Sequence, residues 1–496
     1  MFEKVTPESL GIPSRAISDF LSFMERRGSY THSFLMMRGE KLCTEAYFAP
    51  YNRDSLNRMY SQTKSFVSIA IGCLIDEGKL TLDDRIADHF PERFERELPP
   101  YLAAQTVREM LTMTTSIYNE GSWFTSGEPD RVRYYLNTFD GARPAGTIWR
   151  YDSAGSQVLS ALVEKLAGMP LLDYLRKRLF SHTGGFESAV MLKTPNGETW
   201  GDSAMVCTLR DIATFGNLVM HYGKHEGKQL MSESYLREAT SPLVWNDTTG
   251  FYHVFHHGYG YQIWCTEQNG FAFVGMGDQL TICLPERDFL FTMTADNQGS
   301  DGTIRQMLIN ALFDMVVSKM QDSPLEESPE DYEALERQIA TLKLRAYQST
   351  KPMSDFFRRI SGKTFYAQKN RTGITKLSLT FDKQGGVFDY ENAQGAKSLP
   401  FGIDENVFAS FPELGYSNER GGVRTTDGFT YRCATSLGFV EEKKCILRVQ
   451  IIDRYLGNLT ITLAFRDEST VTVHLCKTAE DFLREYEGEF VAIAKD

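Results

Sequence analysis

The spacing of apolar residues changes several times along the chain, and each change predicts an element. Across 13–27 they recur at helical spacing (Ile17, Phe20, Leu21, Met24), and Gly28 follows as a stop. Apolar runs at 33–37 and 42–48 flank Arg38-Gly39-Glu40-Lys41 and predict a hairpin. After Ser61 the period is helical again. Phe66, Val67, Ala70, Ile71, Leu74 and Ile75 form a stripe broad enough for a buried helix that ends near Gly78. Residues 100–195 read as mainly helical. Thr106-Val107-Arg108-Glu109 fits a capping box, Thr208-Leu209-Arg210-Asp211 fits a looser one, and 156–167 is an amphipathic helix closed by Gly168-Met169-Pro170. Strands return at 259–264, 271–274, 280–283 and 289–293, close enough for an antiparallel meander, and a helix from 303 to about 319 covers a sheet face. The order strands, helices, strands, helix predicts an α/β domain. Its antiparallel sheet is assembled from both ends of the segment and flanked by helices, with an all-helical subdomain inserted between.

The stretch 321–331 is acidic, polar and punctuated by Pro324 and Pro329, and it is the best linker candidate in the chain. The predicted division is therefore 1–320 for the α/β domain with its helical insertion, 321–345 for linker and short helix, and 346–496 for a second domain. In that second domain 377–381, 446–452, 459–465 and 470–475 alternate apolar with polar residues, which predicts a separate antiparallel β domain, a small barrel or sandwich. No repeat of 20–50 residues is present.

Composition narrows the function classes. The chain has 496 residues, 42% hydrophobic and 24% charged, as in an ordinary folded protein of a few domains. A net charge of −12 without a Lys/Arg cluster argues against nucleic acid as a partner. No apolar run approaches the roughly 20 residues that cross a bilayer, and 1–7 lack the basic-then-apolar pattern of a secretory signal. The expectation is a soluble, cytoplasmic protein acting on a small molecule. Eight cysteines without CxxC spacing read as reduced core residues.

Chemistry concentrates at Tyr60-Ser61-Gln62-Thr63-Lys64. Ser61 and Lys64 are three apart at the start of a helix, so their side chains share a face. A serine hydroxyl becomes a nucleophile when a neighbouring base takes its proton, and a lysine does so where burial disfavours its charge. On its own the pair is equally an N-cap and a solvated first-turn lysine. The apolar helix that follows places it instead at the mouth of a core element. Trp149-Arg150-Tyr151-Asp152-Ser153-Ala154-Gly155-Ser156 then feeds another helix, and Tyr151 is either a second proton-transfer group or an aromatic loop anchor.

Ser61-x-x-Lys64, Tyr151-x-Ser153 and Gly275-Met276-Gly277-Asp278-Gln279 together resemble the three motifs of the serine β-lactamase and penicillin-binding-protein superfamily. The branch is the one with class C β-lactamases, D-amino-acid peptidases, esterases and 6-aminohexanoate-dimer hydrolases. The segments 77–84 and 106–114 are similar to stretches typical of that branch, and the resemblance runs over about 5–318. It implies a β-lactamase-like fold with the site in a cleft beside the helical subdomain, and a cofactor-independent serine hydrolase acting on a small ester or amide. Ser61 would be the acyl-accepting nucleophile, with Lys64 and Tyr151 sharing the proton transfers. The backbone N–H of Ser61 and one from the third motif, that of Asp278, would form the oxyanion hole. Ser153, Gly277 and Gln279 complete the implied substrate-binding set.

The chain departs from the pattern in three places. Ser153 stands where many relatives carry Asn. The third motif has no Lys-Thr-Gly, so the cation that greets a β-lactam carboxylate is missing there. Asp278 replaces a common glycine, and its carboxylate must point away from an oxyanion. The alternatives are therefore a D,D-peptidase or β-lactamase, or a non-catalytic ligand-binding relative. His253, His256 and His257 lack further residues at ligand spacing and read as a cleft-rim loop, with no metal or cofactor expected. Tyr118, Trp123 and Phe124 line an acyl pocket or pack the helical subdomain. The β-rich domain covers the cleft or makes a homo-oligomer contact.

Overall fold

The computed structural model describes residues 2–117, 126–246, 255–300, 302–415, 429–477 and 486–495. Tyr118, Trp123, Phe124 and His253 lie outside them. The chain divides into two compact units, the first over Met1–Lys343 and the second beginning at Leu344.

In the first unit, helix α1 (Ser14–Arg26) leads into strands β1 (Thr31–Arg38) and β2 (Lys41–Tyr47). Far downstream come β3 (Phe271–Gly275), β4 (Gln279–Leu284) and β5 (Phe289–Ala295). They form one sheet in the order β2-β1-β5-β4-β3, with Glu3–Lys4 beside β2 and Trp264–Cys265 beside β3. The two chain segments meet where β5 runs antiparallel to β1, in the register Phe291↔Met36 and Met293↔Phe34. Every residue of β3, β4 and β5 is buried, as in a sheet covered on both faces.

The expected strand at 259–264 is corrected. Only Trp264–Cys265 pairs with β3. Tyr259, Tyr261 and Ile263 are buried, so the apolar run is real. However, Gly260 passes so close to the Ala239 carbonyl that a Cβ would lie 2.0 Å from it, and Gln262 has φ +58°. The backbone turns there instead of extending. The helix expected over 303–319 is regular only over Thr303–Ala311 (α5 below), then passes through a π turn, Leu312–Val316, and a 3₁₀ turn, Val317–Lys319.

Between the two halves of the sheet lie α2 (Thr63–Asp76), α3 (Ser153–Ala167), α4 (Leu209–Met220) and shorter helices. Both α2 and α3 bury most of their circumference, taking in polar residues such as Ser68 of α2 and Ser156 and Ser160 of α3 as well as their apolar stripes. After the sheet, α5 (Thr303–Ala311) and α6 (Pro329–Ala340) join α1 in a common core through Leu308, Ile309 and Leu335. Gln338 of α6 accepts a hydrogen bond from Ser18 and donates to Ser22 of α1.

The second unit is a ten-stranded antiparallel sheet in which Gly395–Ile403 closes onto Thr430–Glu441 through a short parallel pairing, making a barrel. Strand Thr470–Lys477 buries Val471, Val473 and Leu475 at alternate positions. Phe357, from the helix Asp355–Ile360, packs among Phe381, Phe439 and Phe465. All eight cysteines are free thiols, and all but Cys476 are buried. No helix among the described residues is long and apolar enough to cross a membrane.

Candidate active site

Ser61 lies in the turn Tyr60–Gln62 that leads directly into α2. Tyr60 has φ +48°, a left-handed conformation costing a side-chain-bearing residue about 1–3 kcal/mol, so the surroundings must hold it. Three contacts do. Met59 N–H donates to the Met205 carbonyl (2.7 Å), Thr63 Oγ1 accepts from Met205 N–H (3.0 Å), and Asn57–Arg58 pairs with Met205–Cys207. The buried Arg58 guanidinium stacks on the Tyr60 ring, 4.5 Å from its centroid.

One helical step on, Lys64 Nζ donates to Ser61 Oγ at 2.9 Å and to the Asp202 carbonyl at 2.9 Å. The Asp202 carboxylate oxygen Oδ2 is 3.8 Å away. The Lys64 and Asp202 side chains are only 2% and 3% exposed. Burial pushes the Asp202 carboxyl up to about 6, against the opposing charges of Lys64 and Arg58. Lys64 is therefore not a solvated first-turn residue.

Tyr151 approaches from the loop before α3, its ring centroid 4.9 Å from Lys64 Nζ. Arg150 N–H holds this loop by donating to the Met113 carbonyl (2.9 Å), and Asp152 caps α3 by accepting from Gly155 N–H (2.7 Å). Trp264 stacks on the Tyr151 ring with 5.7 Å between centroids. Ser153 is the first residue of α3 and is buried. Gln262 joins the two helices, since its carbonyl accepts from Ser65 Oγ and its Oε1 from Ser156 Oγ.

The third motif forms the tight connection between β3 and β4. At its start, Gly275 is pressed against the Ser61 turn, and a Cβ there would lie 2.2 Å from the Met59 carbonyl oxygen. Gly277 and Asp278 both take positive φ. The Asp278 carboxylate is committed to Arg305 Nε (2.6 Å) and Asn297 Nδ2 (3.0 Å). Gln279 is fully buried and donates to the carbonyls of Met276 (3.1 Å) and Ala295 (2.6 Å). These two side chains brace the turn.

The structure thus brings Ser61, Lys64 and Tyr151 together and sets the Gly275 end of the third motif against the Ser61 turn. Over residues 19–312 the sequence also matches the Beta-lactamase family. The chain belongs to that family. This Beta-lactamase family member is 25% identical over 302 residues to the 6-aminohexanoate-dimer hydrolase of Paenarthrobacter ureafaciens, covering 56% of this chain and 76% of the relative. Penicillin-binding protein 4* of Bacillus subtilis (strain 168) is 27% identical over 172 residues, 32% of this chain and 35% of that protein. Among solved structures, a penicillin-binding protein homologue from Caulobacter crescentus shares the fold with a TM-score of 0.50 at 17% identity, covering 63% of this chain and 98% of that one.

Three residues around the site of this Beta-lactamase family member carry no sequence signal. Asp202 stands 138 residues from Lys64 in Trp200-Gly201-Asp202-Ser203, outside every motif. Trp264 reads from sequence as one more apolar strand position, and Arg305 as a polar position on a helix.

Proposed function

We propose that the protein is a serine hydrolase that cleaves a small ester or amide through an acyl-enzyme on Ser61, without a cofactor. The observation that carries this reading is the 2.9 Å contact between the buried Lys64 Nζ and the Oγ of Ser61, which is partly exposed. Ser61 Oγ attacks the substrate carbonyl carbon while its proton passes to the Lys64–Tyr151 pair. The oxyanion is received by the Ser61 N–H and by a backbone N–H of the third-motif turn, that of Asp278, two donors worth about 10²–10³ each in rate. Collapse of the tetrahedral intermediate breaks the bond to the leaving alcohol or amine, which takes up the proton held by the pair. Water then attacks the acyl carbon and gives up a proton to the same pair; the Ser61 Oγ–carbon bond breaks, Oγ takes that proton, and the acid is released. Similarity to a 6-aminohexanoate-dimer hydrolase supports amides among the substrates.

The test is labelling by a fluorophosphonate together with turnover of a p-nitrophenyl ester. Ser61→Ala is expected to abolish both, and a variant that keeps them overturns the reading. A D,D-peptidase or β-lactamase is the second reading, favoured by similarity to penicillin-binding protein 4*. Acylation by penicillin faster than ester turnover would put it first.

A further inference from the structure

The Ser61–Lys64 contact leaves unexplained why a buried amine stays aimed at a hydroxyl. A lysine nitrogen sits at the end of a flexible four-carbon stem, so a single hydrogen-bond partner does not fix it. Here the second acceptor is the Asp202 main-chain carbonyl at 2.9 Å, and the Asp202 carboxylate stands 3.8 Å from the same nitrogen. The segment carrying Asp202 is itself anchored, because Arg58 Nε donates to the Ser203 carbonyl (2.8 Å) and Arg58 Nη2 to Ser203 Oγ (3.1 Å). One short segment therefore supplies both a direction and a negative charge to the amine.

We propose that Asp202 is a positioning residue for acylation: its carbonyl aims Lys64 at Ser61 Oγ, and its carboxylate stabilises the positive charge on Lys64 while the amine holds the serine proton. The proposal rests on the serine-hydrolase reading above. In the step concerned, the Ser61 O–H bond breaks and its proton moves to the lone pair of the unprotonated Lys64 Nζ, while the Oγ–carbon bond forms and the carbonyl π pair moves onto the oxygen. The nitrogen gains a positive charge in a water-poor site, where a carboxylate at this range lowers the energy of that state more than in water. When the substrate's leaving group takes the proton, the charge disappears again.

The groups facing the carboxylate are Lys64 from α2, Arg58 from the strand before the Ser61 turn, and Arg131 from the helix Arg131–Thr138, with the Tyr151 ring on the far side of Lys64. Arg58 and Arg131 stay charged at any working pH. Because burial holds the Asp202 carboxyl at about 6, its loss of charge falls inside the range of an ordinary pH–rate profile.

The experiment compares kcat and KM for a p-nitrophenyl ester from pH 5 to 8 in wild type, Asp202→Asn, Asp202→Glu and Ser61→Ala. Wild type is expected to lose activity as pH falls through about 6. Asp202→Asn is expected to lower kcat at pH 8 at least tenfold with KM within threefold, and to lack that acid limb. Asp202→Glu is expected to keep the limb and recover part of kcat. An Asp202→Asn enzyme with the limb unmoved, or with raised KM and unchanged kcat, overturns the proposal. If Asp202→Asn does not fold, the wild-type profile decides: a kcat constant from pH 5 to 8 overturns it, and a fall near 6 supports it. Turnover surviving in Ser61→Ala instead refutes the serine-hydrolase reading itself.

Discussion

Arg305 Nε meets Asp278 Oδ1 at 2.6 Å, and both side chains are buried, on the inner side of the turn that joins β3 to β4. An acidic residue in that turn would oppose an oxyanion if its charge faced the substrate. With the carboxylate tied to Arg305 and Asn297, its charge is paired away from the backbone proposed to receive the oxyanion. Breaking such a pair from one side strands a buried charge and costs about 3–5 kcal/mol. Arg305→Met is accordingly expected to lower stability by about that amount in urea unfolding. The double variant Arg305→Met with Asp278→Asn should recover a large part of the loss. A double variant no more stable than Arg305→Met would mean that the arginine acts through packing alone.

Gly275→Ala tests how closely the third motif bears on Ser61, the proposed nucleophile. The added methyl would lie 2.2 Å from the Met59 carbonyl oxygen, a backbone atom that cannot swing aside, so the turn bearing Ser61 must shift. Displacements of about 1 Å at reacting groups cost about 10²-fold in rate. A fall in kcat/KM of at least tenfold is expected, in a protein still folded by circular dichroism. Activity within twofold of wild type would separate the strand from the site.

Trp264 carries the Tyr151 ring. A stacked aromatic pair contributes about 0.5–1.5 kcal/mol beyond its buried area, so Trp264→Leu should loosen Tyr151 and reduce kcat about twofold to tenfold. The same change in a Tyr151→Phe background should have a smaller effect, because the phenol being positioned is already gone. Equal effects in the two backgrounds would show that Trp264 only fills space.

How far the sequence could be read follows from the range of each interaction. Helix entry is local: Thr208 and Asp211 form a complete capping box, as their three-residue spacing predicts. Ser61 and Lys64 were legible for the same reason, since one helical turn fixes their separation. Asp202 was not, because it reaches Lys64 through tertiary packing of a segment 138 residues away that has no periodicity. The run 259–264 misled because buried aromatics look alike in a strand and in a turn wedged into the core, and only the contact of Gly260 with Ala239 distinguishes them. A short helix within 321–345 is expected from the sequence, but not its partner: Leu335 of α6 shares a core with Ile17 and Phe20 of α1.

The same capping box yields a graded prediction. Thr208 Oγ1 accepts from Asp211 N–H at 3.1 Å, so Thr208→Ala should cost about 1 kcal/mol. Asp211 accepts from Thr208 N–H at 2.9 Å and also from the buried Phe186 N–H at 2.6 Å. Asp211→Ala strands that second donor too and should cost about 1–3 kcal/mol more. Thermal or urea unfolding of the two variants checks the order, and equal losses would mean the Phe186 contact contributes nothing.

Acid stability carries two opposing terms that mutation can separate. Burial lowers His32 to about 3 from an ordinary 6.5, while it stacks on Tyr51 with ring centroids 4.1 Å apart. Between those values the unfolded chain binds a proton that the folded chain refuses, so His32 makes stability fall as pH drops below about 6.5, by up to about 1.4 kcal/mol per pH unit. Asp202 has the opposite sign. Its folded carboxyl takes a proton near 6 and its unfolded one near 3.8, so acid favours folding through that window. In wild type the two terms partly cancel. His32→Phe keeps an aromatic face against Tyr51 and removes the first term, so its unfolding free energy should decline less steeply than that of wild type from pH 6.5 to 4. Urea titrations at pH 7, 6, 5 and 4 measure the difference, and parallel curves for the two proteins would show that His32 is charged in the folded state.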